Sequence, residues 1–181
     1  MNESSLLDIL RQRRSIRTFQ QRSVEPEKIE LLKEAALRAP TSRGRNPWSF
    51  IVVTDPAVLG ELGRAKEHGA EFLSGAPLAI VVAADPQRCD VWIEDCSIAA
   101  FSLQLTAVSL GLGSCWAQIR LRQKGPDVSS EGFVKNLLGL PEGHAVCCVI
   151  GIGYSAENKT GHPAKSLPWE RLHLEKYGNR G

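Results

Sequence analysis

The sequence lacks most of the signatures by which catalytic and metal-binding proteins are read. Its four histidines, His68, His144, His162 and His173, fall in no metal-ligand spacing, and no cysteine supplements them. There is no Gly-x-Ser-x-Gly elbow, no Walker loop and no Gly-x-Gly-x-x-Gly fingerprint; Gly111-x-Gly113 and Gly151-x-Gly153 are lone pairs. The five cysteines, at 89, 96, 115, 147 and 148, form an odd set without a Cys-x-x-Cys pair, which fits reduced thiols in a cytosolic protein rather than a disulfide framework. Cys147 and Cys148 are neighbours in an apolar run; in a strand they face opposite sides, as core thiols unable to chelate together. Cys115 has nothing nearby in sequence that marks it as a nucleophile.

Other absences bound the setting. No apolar stretch reaches the ~18 residues a membrane span needs. The start, Met1-Asn2-Glu3-Ser4-Ser5, has neither a basic cluster nor an apolar run, so no signal peptide is expected. A net charge of +2 gives no reason to expect a nucleic-acid coat or a membrane surface as partner. There is no internal repeat. The 181 residues, 43% hydrophobic and 23% charged, suit a single domain spanning residues 1–181 with a substantial core.

Against that background one stretch stands out, Arg13-Arg14-Ser15-Ile16-Arg17-Thr18-Phe19. It follows a short amphipathic helix, Ser4 to Gln12, and precedes a helix opened by Pro26. In an extended segment Arg13, Ser15 and Arg17 point one way and Arg14 and Ile16 the other. Three guanidiniums and a hydroxyl within five residues are suited to a phosphate. Each charge-assisted bond contributes roughly 1.5–3 kcal/mol. The same residues also suit a solvated basic helix end, because cations favour a helix C-terminus.

The rest of the chain alternates helical and strand signals. Ile29, Leu32 and Ala36 form a stripe in the Pro26 helix, which ends before Pro40. The loop Ala39-Pro40-Thr41-Ser42-Arg43-Gly44-Arg45-Asn46-Pro47-Trp48 leads into the strand Phe50–Val53; it suits anion binding and a plain connection equally. A helix is expected over Ala57–Lys66 and a central strand over Leu78–Ala84. Asp90–Leu110 reads as a helix apolar on nearly every face, about 30 Å long. Either a partner subunit or the chain's own remaining elements must cover it. Gly111 reads as the residue that ends this helix, and the following residues as a strand. Residues 120–130 read as a mobile surface loop, Glu131–Leu138 as a short helix and Ala145–Gly153 as another buried strand. The tail after Tyr154 carries spaced apolar residues, Leu167, Trp169, Leu172, Leu174 and Tyr177, and is either frayed or laid over another surface. Anion-binding groups without an acid, base or nucleophile cluster suit a protein whose chemistry is carried by a phosphorylated cofactor.

The order of motifs resembles the nitroreductase family. Arg13-Arg14-Ser15-Ile16-Arg17-x-Phe19 is similar to its N-terminal signature, and Ala39-Pro40-Thr41-Ser42 with Asn46-Pro47-Trp48-x-Phe50 to its Ala-Pro-Ser-Ser-x-Asn-x-Gln-Pro-Trp loop. Ala76-Pro77, Gly111-Leu112-Gly113-Ser114-Cys115-Trp116, and Leu137-Leu138-Gly139-Leu140-Pro141-Glu142-Gly143 before Gly151-x-Gly153-Tyr154 complete the series. The family's loop Asn is Gly44 here, its Gln is Asn46, and the Arg of its Lys-Ser-Arg is Leu167.

The resemblance implies an α+β fold, with a central mixed or antiparallel sheet between helices and each C-terminal tail crossing to the partner's sheet in a homodimer. It implies flavin mononucleotide (FMN) as cofactor, NADH or NADPH as reductant, and a small electron-poor acceptor such as a nitroaromatic or a quinone. Hydride would pass to flavin N5 and then, in ping-pong order, to the acceptor over the same face. Donors to the ring's N1–C2=O edge would stabilise the reduced flavin, and no protein side chain need act as acid or base. Arg13, Ser15 and Arg17, with Arg14 beside them, would hold the phosphate and ribityl chain. Pro40, Thr41, Ser42 and Asn46 would approach the ring from the other subunit, Gln118 and Ile119 would lie against it, and Lys165 would return to the phosphate. Three rivals stand beside this reading. One is a same-fold flavin enzyme with another reaction, such as dehalogenation, flavin destruction or azoline oxidation. The second is a flavin carrier or sensor without turnover. The third is a nucleic-acid binder using Arg43, Arg45, Arg120, Arg122 and Lys124, which the scarcity of nearby aromatics disfavours.

Overall fold

Local chemistry fixes where most elements begin and end. The computed structural model describes residues 5–180; what the sequence suggests for Met1–Ser4 lies outside them. Helix α1 (Leu6–Gln12) opens on a capping box, in which the Ser5 hydroxyl accepts from the Asp8 N–H at 3.3 Å and the Asp8 carboxylate accepts from the Ser5 N–H at 3.2 Å. Pro26 opens α2 (Pro26–Leu37). After strand β1 (Trp48–Val53), Asp55 caps α3 (Pro56–Leu62) by accepting from the Ala57 N–H at 2.7 Å. This helix is shorter than the expected Ala57–Lys66. Strand β2 (Leu78–Ala84) leads to α4 (Trp92–Ser109), which stops where Gly111 takes up φ +73. Strand β3 (Gly113–Gln118) follows. Residues 120–130 are not an open loop: strands β4 (Gln123–Gly125) and β5 (Val128–Ser129) pair as a small ribbon. Helix α5 (Ser130–Leu138) and strand β6 (Ala145–Gly153) complete the set.

The main sheet has the order β1-β2-β6-β3 and is antiparallel throughout. Every residue of β2 and β6 is buried. Their side chains alternate between two cores. Leu78, Ile80, Val82, Cys148, Ile150 and Ile152 face α2 and α4. Ala79, Val81, Ala83, Val146 and Val149 face α3 and α5. One irregularity breaks the alternation: Val82 pairs with Cys148 while the next residue, Ala83, pairs with Val146. Cys147 is the extra residue of this β-bulge. Cys147 and Cys148 therefore share the α4-facing core with Cys96, instead of facing opposite sides as strict alternation requires.

The chain covers only part of its apolar surface. Helix α4 buries Cys96, Ala99, Ala100, Leu103 and Ala107 against its own chain, but leaves Ile98 and Phe101 exposed. Helix α1 buries no residue, and Leu6, Leu7 and Leu10 are exposed. In the tail Leu167, Trp169, Leu172, Leu174 and Tyr177 are all exposed.

A polar cluster closes one end of the core. The Tyr154 hydroxyl donates to Glu25 at 2.7 Å and accepts from Lys28 Nζ at 2.8 Å, and Lys28 also donates to the Leu110 carbonyl at 2.8 Å. The Arg22 guanidinium lies 3.9 Å from the centre of the Tyr154 ring. This ties the start of α2 to the end of α4 and the end of β6. The Tyr154 hydroxyl, Glu25's own backbone N–H and Arg22 hold the Glu25 carboxyl down at about 2. A carboxyl lowered in the folded state stabilises the fold above its unfolded value of 4.5, and that contribution is lost as pH falls toward 2. Tyr154→Phe is expected to lower the melting temperature by a few degrees at neutral pH. The gap to wild type should shrink below pH 4.5. Thermal melts between neutral and acid pH check this; a gap that stays constant would remove Tyr154 as the cause.

Candidate functional site

The Arg13–Phe19 stretch is held in place by its two apolar members. Ile16 and Phe19 are each 7% exposed. The Ile16 N–H donates to the Ser114 carbonyl at 3.0 Å, making a parallel bridge of Ser15 with Ser114 on the outer edge of β3. Ile16 fits because residue 113 is glycine; a Cβ there would stand 2.8 Å from the Ile16 side chain. With Ile16 turned inward, the flanking Ser15 and Arg17 face away from the core.

These two meet groups from elsewhere in the chain. Burial pushes the Cys115 thiol up, while Arg17, the Ser15 hydroxyl and Lys159 pull it the other way. Lys159 Nζ donates to the Ser15 carbonyl at 3.1 Å and pairs with Glu157 at 2.7 Å. Glu157 in turn accepts from the Arg17 and Thr18 N–H groups, at 2.5 and 3.2 Å, and Arg14 donates to the Thr160 carbonyl. The early tail thus lies along the arginine stretch. Lys66 is nearby: burial pushes its pKa down, as does Arg122, while Glu71 and Cys115 oppose this. Among the described residues the Arg13 and Arg17 guanidiniums form no hydrogen bond or ion pair, and the Ser114 hydroxyl is buried without a partner.

The expected convergence is only partial. Arg17 lines a hollow with Gly69, Glu71 and Phe72, whereas Arg13 lines a groove of about 370 Å³ with Leu7, Leu10, Phe101, His162 and Leu167. The tail cation bonded to the arginine stretch is Lys159. Lys165 is exposed in the turn Ala164–Ser166 and makes no bond to the stretch. Lys159 carried no signal in the sequence beyond being a cation shortly after Tyr154.

At the far end of β3 the Trp116 indole N–H donates to Gln118 Oε1 at 2.9 Å, and Gln118 Nε2 donates to the Arg120 carbonyl at 3.0 Å. The Arg120 guanidinium lies 5.8 Å from the centre of the Trp92 ring. Gln118 is therefore half-buried at the strand end with its amide already engaged. Ile119 differs from expectation. It is fully buried, with its side chain in the core and its N–H bonded to the Cys147 carbonyl at 3.3 Å.

The Thr41–Asn46 loop sits elsewhere. Pro40 and Asn46 are exposed and Thr41 and Ser42 half-buried. Thr41 Oγ1 donates to Asn46 Oδ1 at 2.9 Å and accepts from the Asn46 N–H at 3.1 Å. The Ser42 N–H donates to Asp95 in the first turn of α4, at 3.0 Å. Ser15 is bridged to the strand that follows the other end of α4. From Asp95 to Leu110 the helix rises about 22 Å. The Thr41–Asn46 loop and the Ser15 bridge therefore lie at opposite ends of α4.

Gly113→Ala is expected to push Ile16 off β3, costing about 1–3 kcal/mol by overpacking and displacing Ser15 and Arg17 with it. Chemical denaturation measures the cost; a variant as stable as wild type would mean that Gly113 does not hold the stretch in register.

Comparison with known proteins gives a consistent placement. The family model described as the nitroreductase family matches residues 10–67 and 56–154. A protein of Archaeoglobus fulgidus, provisionally named an NADH dehydrogenase/NAD(P)H nitroreductase, is 35% identical over 176 residues, covering 94% of this chain and 98% of the relative. A protein of Methanothermobacter thermautotrophicus with the same provisional name is 33% identical over 180 residues, covering 98% of this chain and 90% of the relative. An FMN-dependent nitroreductase from Clostridium difficile R20291 superposes with a TM-score of 0.93 at 42% identity, over 94% of this chain and 99% of that one. In sequence and in fold, the chain belongs to the nitroreductase family.

Proposed function

We propose that this protein is an FMN-dependent oxidoreductase that moves hydride from NADH or NADPH to a small electron-poor acceptor, a nitroaromatic or a quinone, and works as a homodimer. One observation carries the reading: Lys159 is bonded to the Ser15 carbonyl and linked through Glu157 to Arg17 at the start of β3, and the edge of β3 runs from there to Trp116 and Gln118. The Arg17 fork, unpaired among the described residues, with Ser15 and Lys159 nearby, is a donor set suited to a phosphate, and an open strand edge offers a flat ring a place to lie. FMN fits this chemistry. The name of the superposed Clostridium difficile protein, FMN-dependent nitroreductase, supports the cofactor, and the names of the two archaeal relatives support a nicotinamide reductant.

In this reading Ser15, Arg17 and Lys159 hold the phosphate, with Arg13 and Arg14 flanking it. Gln118 and Arg120 fix the strand end beside the ring. Pro40, Thr41, Ser42 and Asn46 come from the second copy, as the resemblance to the family implies. When bound, FMN supplies the hydride-carrying group, so the chain's own residues need only bind, orient and shield it. The carboxylate among these residues, Glu157, is already engaged by Lys159 and by the Arg17 and Thr18 N–H groups.

The uncovered apolar surfaces support the dimer. Leu6, Leu7 and Leu10 on α1 and Ile98 and Phe101 on α4 are exposed, and Leu7, Leu10 and Phe101 line one groove that a partner can cover. The outer edge of β1 is unpaired in the sheet, and an apolar groove lined by Leu37, Trp48 and Phe50 runs beside it. A partner's tail, with Trp169, Leu172 and Leu174, is the segment suited to that edge. Among the described residues no helix is long and apolar enough to cross a membrane. Five free cysteines suit the reducing cytoplasm.

Arg17→Ala should weaken FMN binding roughly 10- to 150-fold while leaving riboflavin affinity nearly unchanged, because only the phosphate contact is lost. Fluorescence titration of apo-protein measures both; equal affinities in variant and wild type would sink the phosphate assignment. NADH mixed with the holo-protein should bleach the flavin absorbance, and an electron-poor acceptor should restore it.

Sedimentation over a wide dilution range should show a dimer that loses FMN as it dissociates. A monomer that keeps stoichiometric FMN at low concentration would refute the shared site.

A further inference from the structure

We propose that Asp95 is a positioning residue that holds the Thr41–Asn46 loop in the conformation with which it meets the flavin. This role rests on the flavin reading above. Asp95 is 3% exposed. One carboxyl oxygen accepts from the Ser42 N–H at 3.0 Å, and the other accepts from the Cys89 thiol at 3.4 Å. Among the described residues it takes part in no ion pair. A buried carboxyl is an unfavourable thing to place in a core. Here it serves a loop that has no buried side chain of its own, since every residue from Pro40 to Asn46 is exposed or half-buried.

The loop needs such an anchor. Arg43, Gly44 and Asn46 adopt φ values of +54, +65 and +46. Non-glycine residues keep that conformation only where the surroundings over-determine it. The remaining polar contacts do not supply this. Thr41 with Asn46, Gly44 with Thr41 and Arg45 with Ser42 are bonds inside the loop. The pair of Arg45 with Asp90, at 3.6 Å, is exposed on both sides and correspondingly weak. Among the described residues, the part-buried Ser42–Asp95 bond is the polar tie between the loop and helix α4. Asp95 does not itself reach a ligand. It acts through the Ser42 backbone, so its effect falls on the ring end of the flavin and not on the phosphate.

Flavin titration of apo-protein separates these ends. Asp95→Ala should weaken FMN and riboflavin by the same factor, about tenfold or more, leaving their affinity ratio as in wild type. The visible circular dichroism of bound flavin should change with it. Asp95→Asn, whose amide oxygen still accepts from Ser42, should stay close to wild type. Ser42→Pro guards against a misfolded Asp95→Ala. It deletes only the N–H donor and the hydroxyl, at the first position of a 3₁₀ turn where proline fits, and Thr41 is already extended as a residue before proline must be. Ser42→Ala, which keeps the N–H, is its control. Ser42→Pro should bind both flavins more weakly than Ser42→Ala. Unaltered affinity and dichroism in Asp95→Ala, or equal affinities in the two Ser42 variants, would overturn the positioning role. A wild-type protein that binds neither flavin would overturn the flavin reading itself.

Discussion

Strands β2 and β6 lie side by side with water on neither face, and most of the architecture follows from that burial. Each strand must be covered above and below, so helices occupy both sides: α2 and α4 over the even residues of β2, α3 and α5 over the odd ones. At roughly 25 cal/mol per Å² of apolar surface removed from water, this is the main favourable contribution available to a chain of this composition. Because the two central strands use both their faces and both their edges, ligand chemistry is displaced to the outer strands. The outer edge of β3 receives the arginine stretch, and the outer edge of β1 remains unpaired.

The site inherits its geometry from a few close contacts, not from a dedicated pocket. Ile16 lies on Gly113, and that seat turns Ser15 and Arg17 outward. The same stretch receives the early tail through Glu157, Lys159 and Thr160, so cations distant in sequence are gathered at one strand end. The tail beyond them leaves the body with Trp169, Leu172 and Leu174 in water. A tail that lies against its own chain as far as Leu167 and then exposes Trp169, Leu172 and Leu174 leaves apolar surface that a partner can cover.

Much of this was legible in the sequence, for identifiable reasons. The β2 and β6 boundaries are marked by uninterrupted apolar runs, and the end of α4 by Gly111, whose φ of +73 suits glycine. The inward Ile16 with outward Ser15 and Arg17 was legible because alternation in an extended segment is a local rule. The failures are equally physical. Cys147 and Cys148 share a face because of a bulge, and a bulge arises from pairing with β2, which no property of β6 alone reveals. Ile119 was expected at the ring but is in the core, since the chain turns inward after Gln118 to bond Cys147. Residues 120–130 carry turn signals that read as an open loop, and only their mutual pairing makes the ribbon.

Sequence alone determined the main helices and the four long strands, that the strands at Leu78–Ala84 and Ala145–Gly153 are buried, and that anion-binding groups outnumber acid–base ones. Those are consequences of periodicity, capping and composition, all short-range properties. Tertiary structure decided which of the cations meet. It chose Lys159 over Lys165 for the arginine stretch, turned Arg13 into a different groove from Arg17, and set Asp95 beneath the Thr41–Asn46 loop. Such pairings depend on the register of the tail against residues 13–19 and on the length of α4, neither of which any local stretch of the chain encodes.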